Sequence, residues 1–272
     1  VTITKGPSSV ANGANALAGS VSYTTYDAAD FLNAEGDDTE ISIKLGYDNR
    51  SDEQMYNATI ANRSGAFESL LLFTARNGHE TEAHDSGKRI VAPASATELS
   101  DPISIDTTSV LAKFSYEFAQ DQRFGVLFDN TDRKVEGTPL SRQSATYHDF
   151  TTNDENNKSR YGLFYTWDNA NTAAFDSLSA TLNKQELFTS GVTSFGFSRF
   201  NRTSGDLIES YLRREDRSTN QDSTSLSVDF EKTISGDISH HLVYGLQWQN
   251  REIESVLWDR RFNDLTDSSG FK

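Results

Sequence analysis

The stretch Lys5-Gly6-Pro7-Ser8-Ser9, followed by Asn12-Gly13-Ala14-Asn15-Ala16-Leu17-Ala18-Gly19-Ser20-Val21-Ser22-Tyr23, decides how the rest of the chain is read. A β-prone run at residues 1–4 enters a Gly-Pro turn. Small residues and glycines then let backbones approach closely before a second β-prone run at residues 21–26. The order predicts a compact loop between two strands. A phosphate-cradling loop would need Gly-x-x-x-x-Gly-Lys-Ser/Thr or Gly-x-Gly-x-x-Gly between strand and helix, and neither pattern is present.

Working outward, residues 40–48 alternate: Ile41, Ile43, Leu45 and Tyr47 point one way, Ser42, Lys44, Gly46 and Asp48 the other. The same period recurs at Tyr56, Ala58 and Ile60, at Ala112, Phe114, Tyr116 and Phe118, at Phe124, Val126 and Phe128, and at Tyr161, Leu163, Tyr165 and Trp167. It returns at Leu178, Ala180 and Leu182, at Leu226, Val228 and Phe230, and at Leu242, Tyr244, Leu246 and Trp248. With a more uniformly apolar run at residues 66–76, about nine strands are predicted. Tight turns at residues 62–65, 120–122, 168–171 and 235–237 alternate with long polar segments at 77–107, 129–157 and 188–222. Short turns on one side and long loops on the other are the pattern of an outer-membrane barrel. Alternation alone would also suit a soluble secreted β-sandwich that binds a sugar or a protein through its aromatic residues, the competing expectation.

Composition narrows the classes. The absence of cysteine excludes a disulfide framework and a thiolate metal site. Seventeen Phe and ten Tyr against four Pro suit strands, and a net charge of −15 argues against a nucleic-acid partner. No run of eighteen apolar residues encodes a membrane helix, but a barrel strand needs only about ten residues of alternating character. The chain starts within a β-prone run and without Met, so it is expected to be a piece of a longer protein.

The Lys-Gly-Pro-Ser-Ser turn and the spacing Gly13-x-x-Ala16-x-x-Gly19-x-Val21 resemble the end of the plug domain of TonB-dependent outer-membrane receptors. The run Arg63-Ser64-Gly65-Ala66-Phe67-Glu68-Ser69-Leu70-Leu71, with Gly78-His79-Glu80 and Lys158-Ser159-Arg160-Tyr161-Gly162-Leu163, resembles early barrel strands of the haemoglobin/transferrin/lactoferrin receptor branch. The resemblance implies an all-β fold: antiparallel strands of a partial transmembrane β-barrel preceded by the end of a plug. Residues 1–30 would end the plug, with Lys5, Gly6, Pro7, Ser8, Ser9, Gly13 and Gly19 as its motif, and residues 31–272 would begin a twenty-two-stranded barrel. It further implies a bacterial outer-membrane location and contact with lipid. The parent protein would be energised by the TonB complex and would take up iron or haem from a host carrier protein, as transported ligand and not as a resident cofactor. The family's Phe-Arg-Ala-Pro box is not found.

Nothing in the chain suggests an enzyme, since it lacks a Gly-x-Ser-x-Gly elbow, a His-Glu-x-x-His pattern and a recognisable carboxylate pair. His79 and His84 lie in one expected extracellular loop, and Tyr147 and His148 in another. Imidazole can ligate haem iron or a transition metal, so these four are the candidate ligand contacts. His240 and His241 follow a tight turn and fall on the other side.

Overall fold

The computed structural model describes residues 2–5, 19–22, 24–81, 100–236 and 238–262. The chain is all-β, with two short 3₁₀ turns among the described residues. Strands β1 (Thr2–Lys5) and β2 (Gly19–Ser22) form a small antiparallel pair in which Lys5 lies opposite Gly19, so the Gly-Pro stretch connects two strands as expected. Strand β2 ends at Ser22, short of the predicted limit of 26.

The other nine strands are β3 (Asp38–Asp48), β4 (Glu53–Ser64), β5 (Phe67–His79), β6 (Ile103–Ala119), β7 (Gln122–Gly137), β8 (Tyr147–Trp167), β9 (Ser177–Phe200), β10 (Leu207–Ile234) and β11 (His240–Phe262). They form one antiparallel sheet in sequence order, each strand paired to the next. Strands β3 and β11 are its edges, and the sheet does not close. A sandwich would need two sheets packed face to face; here all nine strands share one sheet.

Cross-strand partners share a face, so the register displays what each face carries. One row runs Phe114, Val126, Leu163, Leu182, Leu226 and Trp248 across β6 to β11. The next runs Phe67, Tyr116, Phe124, Tyr165, Ala180, Val228 and Leu246. Ile41, Ile60, Leu71 and Ala112 continue the band to the β3 edge. Much of it is open to solvent, Ile43 and Leu45 at 73% each. That is far more contiguous apolar surface than a soluble monomer leaves uncovered. On β11 the band extends from Leu242 to Trp248, ~20 Å at ~3.3 Å per residue, comparable to the ~25 Å apolar belt of outer-membrane barrels.

The opposite face is polar, and at the turn end it is covered by the segment following β2. A 3₁₀ turn at Ala28–Asp30 seats Ala28 and Leu32 against Ala61 of β4 and Leu70 of β5, the core of the described residues. Asp27 binds Lys113 Nζ (3.2 Å) and Arg123 Nη2 (2.8 Å), and Arg123 also meets Glu68 (3.5 Å). Glu68 in turn accepts from Arg63 Nε (2.8 Å), whose Nη1 donates to the Asn33 carbonyl (2.7 Å). Gly125 is required here, because a Cβ would overlap the Phe164 ring, over which Arg123 lies at 5.4 Å.

Two sets of expectations are corrected. The segments 129–157 and 188–222 are mostly strand: β7 continues to Gly137, β8 begins at Tyr147, and β9 and β10 leave only residues 201–206 between them. Their outer portions are mostly polar, with a hydrophobic period confined to the aromatic residues around Phe195, and ladder hydrogen bonds to neighbouring strands hold them extended. The first long segment likewise shortens, since β5 ends at His79 and β6 begins at Ile103. Of the tight turns, Gly65-Ala66 and residues 120–121 hold, with Gly65 and Asp121 at positive φ. The β8–β9 connection is longer, residues 168–176. The division of connections by length is therefore only partial: residues 168–176, at the end with the tight turns, match 138–146 at the other end in length and exceed 49–52 and 201–206 there.

Candidate functional site

The end of the sheet opposite the tight turns gathers the candidate residues, at strand ends rather than in loops. His79 is the last residue of β5. Its Nε2 meets Asp52 Oδ2 at 2.9 Å and its Nδ1 meets the Glu80 carbonyl at 2.9 Å. Both partners accept, so only the imidazolium, with two N–H groups, satisfies both. Tyr47 OH donates to the other Asp52 oxygen, and the His79 N–H donates to the Ser51 carbonyl (2.9 Å). The clasp ties the β3–β4 connection to the end of β5.

The Asp52 hydrogen bond, then the Glu80 carbonyl, raise the His79 pKa above 6.5. Hydrogen bonds from Tyr47 and then His79 lower Asp52 below 3.8. A raised histidine contributes stability that is complete below pH 6.5 and lost as pH rises through its folded value. A depressed aspartate contributes above pH 3.8 and is lost as pH falls through its folded value. The clasp is therefore fully closed between those limits. Amide exchange at His79, normalised for intrinsic rate, should show protection falling as the pH passes above the His79 pKa. A His79→Gln variant should show no such step; a step that persists in it would contradict the assignment.

Tyr147 and His148 open β8. As consecutive strand residues they point to opposite faces, and a register shift between His148 and Thr151, with Asp149 at positive φ, interrupts the ladder just beyond them. His148 Nδ1 meets Asp149 Oδ2 (2.6 Å) and its Nε2 meets Ser198 Oγ (3.0 Å). Its ring lies over Gly196, where a Cβ would collide with it. On the other face Tyr147 joins a cluster that sequence reading missed. Tyr147 packs on Phe195 and Phe197 (5.9 and 5.3 Å), Phe150 stacks on Phe195 (4.9 Å), and Tyr211 stacks on Phe197 (4.7 Å). Arg213 lies over Phe195 (5.7 Å) and Arg261 over Tyr211 (5.1 Å). Arg213 also forks onto Asp259 through Nε (2.9 Å) and Nη2 (2.8 Å), which lowers the Asp259 pKa and raises its own. The signal available was Phe195-Gly196-Phe197, an alternation inside a stretch read as loop.

His79 and His148 are not brought together. Strands β6 and β7 lie between β5 and β8, three strand spacings or ~14 Å. His84 lies outside the described residues, as do Gly6, Pro7, Ser8, Ser9 and Gly13 of the Gly-Pro stretch; Lys5 and Gly19 are its paired flanks. Among the described residues no group of three His, Asp or Glu side chains could hold a metal ion.

No protein-family model matches the chain. It is 32% identical over 207 residues to haemoglobin-binding protein A of Haemophilus influenzae, covering 70% of this chain and 19% of that protein. It is 34% identical over 162 residues to a probable haemoglobin and haemoglobin-haptoglobin-binding protein 1 of H. influenzae, covering 57% of this chain and 15% of that protein. These relatives are haemoglobin-binding proteins. A haemoglobin and haemoglobin-haptoglobin-binding protein of Haemophilus ducreyi is 27% identical over 197 residues, 68% of this chain and 20% of that protein. The chain thus spans a fifth or less of the length of these relatives. All three are named as binding proteins, not as enzymes.

Proposed function

We propose that this chain is the first part of the wall of a TonB-dependent outer-membrane receptor that takes haem or iron from haemoglobin. Residues 1–30 end its plug and residues 31–272 begin its barrel. The observation that carries the reading is the single up-and-down sheet with an apolar band on one face, in a chain similar to haemoglobin-binding proteins. The band would face outer-membrane lipid. Lys113, Glu68 and Arg123 would face the lumen, where Asp27 anchors the segment leaving the plug. The sheet end with His79, Tyr147 and His148 would lie outside the cell, as would the β5–β6 junction across residues 80–102. The tight turns would face the periplasm, and the TonB complex would act on the plug.

Growth on haemoglobin tests this. Bacteria with no other haem receptor, expressing the full-length protein, should grow with haemoglobin as sole iron source and fail once the TonB complex is removed. Growth independent of that complex, or none with haemoglobin, would contradict the reading. Deleting residues 81–100 should abolish haemoglobin binding while membrane insertion persists; unchanged binding would remove that connection from the capture surface.

A further inference from the structure

Among the described residues the β9–β10 hairpin is the longest of the sheet, with strands of 24 and 28 residues. A membrane crossing needs only ~9–11. From Leu182 in the apolar band to Phe200 at the tip, β9 advances ~60 Å at ~3.3 Å per residue. An isolated two-stranded ribbon of that reach would be marginal, but β8 pairs with β9 as far as Phe197 and β11 with β10 as far as Leu212, so only the last few residues of the hairpin stand clear of their neighbours. Tyr147 and Arg261 pack beside them. The tip is ordered too. The Asn201 N–H donates to the Asp206 carbonyl (2.7 Å), the Gly205 N–H to the Asn201 carbonyl (2.9 Å), and Arg199 braces Glu209 (3.2 Å).

On this stiff support the tip presents three large apolar side chains: Phe200, Leu207 and Ile208, 48%, 56% and 55% exposed. Phe200 and Leu207 are paired on one face, and Ile208 sits at a register shift beside them. Nothing in the hairpin's own packing requires them, and lipid is too far away to cover them. We propose that this hairpin is a preformed docking finger whose Phe200-Leu207-Ile208 tip inserts into an apolar depression on the captured protein. The proposal rests on the function proposed above, and the occupant is haemoglobin. A finger rigid before binding loses little conformational entropy on docking, and a few clustered anchors can carry most of the affinity of an interface.

The test uses the full-length protein on the cell surface, haemoglobin as probe, and a triple variant Phe200→Ser, Leu207→Ser, Ile208→Ser. The expected result is a Kd raised about tenfold or more, with the variant still reaching the surface as a folded barrel that unfolds in detergent only on heating. Unchanged affinity would overturn the finger while leaving the function standing. Loss of the folded barrel would also overturn it, showing that the rest of the protein packs over the tip. Absence of haemoglobin binding by the unaltered protein would instead defeat the proposed function, and the finger's occupant with it.

Discussion

Leu182→Lys is expected to cost about 2–4 kcal/mol of folding free energy in lipid, while the neighbouring Thr181→Lys stays within about 1 kcal/mol. The two positions differ only in phase. Leu182 lies mid-band between Leu163 and Leu226, where a charge would have to leave water for hydrocarbon. Thr181 lies between Phe164 and Ser227 on the polar face, which the lumen assignment leaves wet. Denaturant titrations of the full-length protein folding into vesicles measure both. Equal tolerance at the two sites would contradict the lipid assignment of the band.

Leu70→Ala should cost about 2–5 kcal/mol and release the segment that follows β2. Leu70 is 1% exposed and packs with Ala28, Leu32 and Ala61. Truncation would open a cavity where the segment docks, and the nearby sheet backbone, held by ladders on both sides, cannot collapse into it. The ion pairs of Asp27 would not compensate, since Asp27 remains about one-third exposed and partly screened. Limited proteolysis between residues 24 and 37 should accelerate strongly in the variant. A cleavage rate unchanged from the parent would show that Leu70 does not hold the segment down.

Legibility in the sequence followed the solvent. Where a strand crosses the apolar band, one face is apolar and the other wet, and residues 40–48, 110–118 and 242–248 announced β3, β6 and β11 with the correct face. Beyond the band, stretches such as Asp129-Asn130-Thr131-Asp132-Arg133-Lys134 are polar on both faces and carry no period. Their strand state comes from β6 and β8 on either side, which a local reading cannot weigh. The candidate site divided in the same way. The histidines were visible by type, but Asp52 and Ser198, the partners that fix His79 and His148, come from distant parts of the chain. The aromatic cluster stayed hidden because Tyr147, Phe197 and Tyr211 meet only through the register of β8, β9 and β10.

The measurement that bears most directly on the central claim, a wall crossing the outer membrane, exploits the lack of cysteine. In the full-length protein, freed of any cysteine elsewhere, Ser204→Cys at the β9–β10 tip and Ser235→Cys after β10 place single thiols at opposite ends of one strand. A membrane-impermeant maleimide added to intact cells should label Cys at 204 and leave Cys at 235 unlabelled until the outer membrane is opened. Labelling of both on intact cells, or of neither, would contradict a strand that spans the membrane.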